Sequence, residues 1–101
     1  MLTLEEAKKH LNIDTLFVAD DTYITDLIEV AQNVIEHDTQ RSIDNIIAVE
    51  GSVPALLKHA AKILVATYYE NREATIVGVS IHEVPLSYKS LIGLYRKYAV
   101  G

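Results

Sequence analysis

The sequence predicts a mainly α protein: one small helical domain over residues 1–101, of about four helices, with a short β-hairpin or extended arm near 75–84. Three observations carry this. Apolar residues recur at three- and four-residue steps through most of the chain. Capping residues or a proline stand where each periodic run begins. A run of strand-forming residues, interrupted by Gly78 and stopped by Pro85, occupies residues 75–84. At 101 residues, half of them hydrophobic, the chain can build a core without metal or disulfide.

Thr3 followed by Glu6 is a capping box, so a short helix starts there, with Leu4, Ala7 and Leu11 along one side. The period breaks over residues 12–19, which read as a loop. Asp20 and Asp21 place acids where a helix N-terminus favours them. Ile24, Leu27, Ile28, Ala31, Val34 and Ile35 then define an amphipathic helix over roughly 21–40. Its other face holds Asp26, Glu29, Asn33 and Glu36 and is expected to meet solvent or a partner.

Residues 44–52 are short and rich in β-branched residues; the stretch is ambiguous and reads as a loop that can hold a helical turn. Ser52 and Pro54 suit the start of a third helix, over 53–73. That helix is apolar almost all round, with Lys58 and Lys62 as a narrow polar stripe, so it is expected at the centre. Thr75, Ile76, Val77, Val79 and Ile81 favour extended backbone, Gly78 interrupts them and Pro85 stops the run. Ser87 is the expected cap of a last helix, with Leu91, Leu94, Tyr95 and Tyr98 as its apolar side. No internal repeat or low-complexity segment occurs.

Composition excludes several classes. There is no cysteine, hence no disulfide framework, zinc–thiolate site or thiol nucleophile. No apolar run approaches the roughly 18 residues of a membrane span, and the acidic start does not read as a signal peptide. The net charge of -5 argues against a dedicated nucleic-acid binder. That charge is divided. Residues 1–50 carry three Lys and Arg against eleven Asp and Glu, a net -8, whereas residues 51–101 carry six against three, a net +3. The two halves either neutralise each other within one fold or meet between copies, head to tail.

The sequence offers little to chemistry. His10, His37, His59 and His82 have no second ligand at metal spacing. Glu36, His37 and Asp38 are adjacent helical residues and point in different directions. His82 and Glu83 face opposite sides of an extended stretch. Gly51 and Gly78 are isolated and form no phosphate loop. No serine sits in a nucleophile elbow. No catalytic, metal or cofactor site is therefore expected. Tyr68 and Tyr95 fall on apolar faces and read as core, while Tyr69, Tyr88 and Tyr98 read as interface anchors. Ile76, Val77, Val79 and Ile81 cannot all reach a core if the stretch alternates, so they are candidate interface residues. Asp26 and Glu29 on the acidic helix, and Lys89, Arg96 and Lys97 on the last one, are the other candidates.

Four pieces in order resemble one family. They are the opening M-L-T-L-E-E-A-K-K-H-L, and then Asp20-Asp21-x-x-Ile24-x-x-Leu27-Ile28-x-x-Ala31-x-x-x-Ile35-Glu36. Next come Val53-Pro54-x-x-Leu57-x-x-Ala60-x-x-x-Leu64-Val65-x-x-x-Tyr69-Glu70-Asn71-Arg72-Glu73 and Val84-Pro85-x-x-Tyr88-x-x-Leu91-Ile92-x-x-Tyr95-Arg96. Together they resemble the small head–tail connector, or adaptor, proteins of tailed bacteriophages and prophages; the apolar segment 43–49 departs from that pattern. The resemblance implies a structural virion protein of the neck, made in the bacterial host cytoplasm. It implies a homo-oligomeric ring that docks on the portal, extends the DNA channel and receives the tail or its stopper, without catalysis or cofactor. Two other classes stay open: a small helical DNA-binding regulator, and a non-viral adaptor or assembly chaperone.

The charge pattern makes one prediction directly. No basic stripe spans a groove, so random duplex DNA should not be bound tightly at physiological salt. A sub-micromolar dissociation constant in a fluorescence-anisotropy titration would revive the regulator class.

Overall fold

A computed structural model describes residues 1–70 and 85–100, and among them the chain is five helices and no strand. These are α1 (Leu4–His10), α2 (Asp21–Thr39), α3 (Ile43–Glu50), α4 (Ala55–Glu70) and α5 (Leu86–Val100). The mainly α class holds. The expected hairpin or arm near 75–84 lies outside the described residues.

α1 begins as its sequence dictates. Thr3 Oγ1 accepts from the Glu6 N–H at 3.1 Å, and Glu6 Oε1 accepts from the Thr3 N–H at 3.1 Å. The other Glu6 oxygen meets Lys58 Nζ at 2.7 Å and so ties α1 to α4. The hydrogen bond from Lys58, helped by the Thr3 N–H, lowers the Glu6 pKa from 4.5 to about 2.

α2 runs one residue shorter than expected. Gln40 ends it in the left-handed region at φ 58°, and its side-chain amide donates to the His37 carbonyl at 2.7 Å, covering one open acceptor of the last turn. Asp20 precedes the helix but its side chain does not cap it.

The segment read as a loop is the helix α3. Ser42 caps it, with Oγ accepting from the Asn45 N–H at 3.1 Å, and Glu36 Oε2 takes the Ile43 N–H at 2.7 Å. Gly51 closes it at φ 84°, where a side chain would be strained. Ile43 and Ile46, three residues apart, are buried, and that tertiary burial outweighs the β preference of the segment. α4 starts at Ala55, not under a Ser52 cap: the Pro54 carbonyl accepts the first helical bond, from Lys58. The Pro85 carbonyl does the same for Lys89 in α5, so Ser87 lies inside the first turn and is not its N-cap.

α4 is central, as its composition requires. It packs against α1, α2 and α5. It buries Leu57, Ala60, Ala61, Leu64, Val65 and Tyr68. α2 brings Ile24, Leu27, Ala31 and Ile35 to the same core, and α5 brings Tyr88, Ile92 and Tyr95. The apolar side of α5 is therefore rotated from the expected one. Tyr88, Ile92 and Tyr95 at four- and three-residue steps face inward, and Leu94 is 56% exposed.

Leu64 is fully buried where these helices meet. Leu64→Ala should cost about 2–5 kcal/mol by opening a cavity. The denaturant midpoint measures this, and an unchanged midpoint would show that the helices do not close around residue 64.

Candidate assembly interface

The first half of the chain holds a lysine where an apolar residue is the norm. Lys8 lies between Leu4 and Leu11 at helical spacing, on the buried side of α1, and is only 2% exposed. An ammonium so placed requires partners for its three donors. It has three. Nζ donates to the carbonyls of Thr15 at 3.1 Å and Phe17, and to Asp21 Oδ1 at 2.8 Å. One buried side chain thus fixes the loop between α1 and α2. Asp14 supports the turn, its carboxylate accepting from the Leu16 N–H at 2.9 Å and its carbonyl from the Phe17 N–H at 2.9 Å. The loop then holds its apolar side chains outward: Leu16 is 86% exposed, Phe17 48% and Val18 67%.

Tyrosines of the second half bind carboxylates of the first. The Tyr69 hydroxyl donates to Asp20 Oδ2 at 2.6 Å and that of Tyr88 to Asp38 Oδ2 at 2.6 Å. The Tyr95 hydroxyl donates to Glu50 Oε2 at 3.1 Å and accepts from Arg41 at 2.6 Å. Burial, and then the bond to Asp38, push the Tyr88 pKa well above the usual tyrosine value. Burial, and then the bond to Glu50, raise the Tyr95 pKa, against the opposing effect of Arg41. Tyr88 is therefore a core residue with a polar tie and not the interface anchor expected of it. Tyr68 is buried, as expected.

These ties change the meaning of the charge division. Among the described residues, Lys58 to Glu6 is the ion pair that crosses between the halves; Lys8–Asp21 and Arg41–Glu50 both lie within the first. Among the described residues the polar ties between the halves are mostly tyrosine hydroxyls. Asp26 and Glu29 stay exposed on α2, opposite its buried side. Lys89, Arg96 and Lys97 stay exposed on α5. None of these five forms an ion pair with another described residue. The two sets sit on separate helices and make no joint site. The candidates Ile76, Val77, Val79 and Ile81 lie outside the described residues.

An open pocket of about 280 Å³ separates the end of α3 from the start of α4, lined by Glu50, Ser52, Pro54, Ala55, Leu56 and Tyr95. His10 and His59, far apart in sequence, meet edge to face with ring centroids 6.4 Å apart. Among the described residues no three His, Asp or Glu side chains gather as metal ligands, and no helix is long and apolar enough to cross a membrane. Sequence reasoning did not foresee the role of Lys8. Its signal was present, a cation within the apolar stripe Leu4, Ala7, Leu11.

The chain matches the family model described as Phage gp6-like head-tail connector protein over residues 1–96. No curated protein and no solved structure matches it.

Lys8→Met keeps the stem of the side chain and removes its donors. It should cost about 1–3 kcal/mol, since two loop carbonyls and Asp21 lose their partner. Lys9→Met, on the exposed side, should stay within about 0.5 kcal/mol of the parent. Equal denaturation midpoints for the two variants would show that the ammonium does not hold the loop.

Proposed function

The chain belongs to the phage gp6-like head–tail connector family, and on that premise we propose that it is the subunit of a ring docked beneath the portal. Family membership itself makes it a structural protein of the neck, where head joins tail. Further, the ring extends the DNA channel and receives the tail or its stopper, and the protein is made and assembled in the host cytoplasm. It acts by shape and contact, without catalysis or cofactor.

The observation that carries this reading is the family match over residues 1–96. The charges agree with it. A ring needs two different faces that fit each other, and α2 and α5 carry unpaired charges of opposite sign. A channel wall past which DNA slides should not be strongly basic, because phosphate contacts would retain the DNA. A chain of net charge -5 meets that condition. The regulator class gains no support, since α4 is buried in the core and α5 turns Tyr88 and Tyr95 inward.

Mass in solution tests the proposal, measured across protein concentration and salt, alone and with portal protein. A large closed oligomer is expected, either alone or on the portal, and weaker at high salt. A monomer or a fixed dimer under every condition would overturn it.

A further inference from the structure

The loop between α1 and α2 has three outward apolar side chains and a fixed backbone. That pairing is unusual in a segment whose only task is to connect. Exposed apolar residues in sequence generally mark a contact, and a contact element binds better when its conformation is already set. Lys8 sets it here, from below, through the carbonyls of Thr15 and Phe17. Apart from Lys8, which lies beneath the loop and pairs with Asp21, the charges around it are acidic: no Lys or Arg occurs between Lys9 and Arg41, whereas Asp14, Asp20 and Asp26 flank or follow the apolar residues.

The complementary face is on α5. This helix has no Asp or Glu. Leu86, Ser90 and Leu94 follow at four-residue steps and form one exposed stripe, with Leu86 80% exposed. Lys89, Gly93 and Lys97 form the stripe beside it. A Cβ at Gly93 would meet nothing within 4 Å, so the backbone there is open to close approach. One face is apolar with acids around it, the other apolar with bases along it.

We propose that the loop carrying Leu16, Phe17 and Val18 docks on the outer face of α5 of a second copy, against Leu86 and Leu94 and beside Lys89 and Lys97. The proposal rests on the ring reading and names the faces that meet. Because the two faces are different patches of one chain, each copy uses one toward each neighbour, and the contact repeats head to tail. Apolar contact supplies the burial, and opposite charge fixes the pairing and its direction.

The chain has no native cysteine, which makes the test clean. Leu16→Cys and Leu94→Cys, both at exposed positions, are prepared singly and together and treated with a short bismaleimide; circular dichroism checks that each variant folds. The double variant should give a ladder of dimer, trimer and higher species on a denaturing gel. The two single variants mixed should give dimer, and each alone should remain monomeric. Absence of a ladder from the folded double variant at high protein concentration, both alone and with portal protein, overturns the pairing. So does dimer formation by a single variant alone at the yield of the mixture. The ring reading is judged separately, by the mass of the unmodified protein with and without portal: a closed oligomer without a ladder would leave the ring standing and move the contact elsewhere.

Discussion

One constraint organises the molecule: α4 is apolar on almost every side and must be covered on almost every side. A helix with a single apolar stripe can lie on a surface, but α4 cannot. α2 and α5 cover it with Ile24, Leu27, Ala31, Ile35, Tyr88, Ile92 and Tyr95, and α1 closes a further side. Small residues make the approach close, since Ala31, Ala60 and Ala61 are essentially inaccessible. Each outer helix spends its apolar side on α4 and is left with a polar or mixed outer face. The exposed faces of α2 and α5 are consequences of what α4 demands.

Around this core the polar ties follow one rule. Burying a full ion pair is expensive, and its attraction does not always compensate. The chain instead sets tyrosine hydroxyls against half-exposed carboxylates, at Asp20, Asp38 and Glu50. The ring contributes to the core while its hydroxyl satisfies an acid at the edge. Lys8 is the exception, and its three donors are all used. It cements a loop and not a helix interface, so its position decides what α1 and α2 present between them.

For a structural protein of the head–tail connector family the demands are mechanical. It needs faces that stay in place. The capped ends of α1 and α3, the closed turn at Gly51 and the lysine-held loop all serve that end. The open pocket between α3 and α4 carries a carboxylate already engaged by Tyr95, and among the described residues no three His, Asp or Glu side chains gather as metal ligands.

The sequence by itself determined the helical class, the amphipathic α2, the central place of α4 and the capping box of α1. These depend on local spacing, and spacing is local information. It also carried the family, through four motifs in order, and the exposed charges of Asp26, Glu29, Lys89, Arg96 and Lys97. The tertiary structure decided the rest. Residues 43–50 became helix because Ile43 and Ile46 found the core and Ser42 and Gly51 closed the ends, a burial that propensity alone does not report. α5 turned Tyr88 inward and Leu94 outward because Asp38 on α2 stood ready to accept the Tyr88 hydroxyl. Lys8 has its role only because the fold supplies three acceptors, two of them carbonyls of a loop whose path no periodicity describes. Contacts between residues distant in sequence fix such details, and a pattern read along the chain does not contain them.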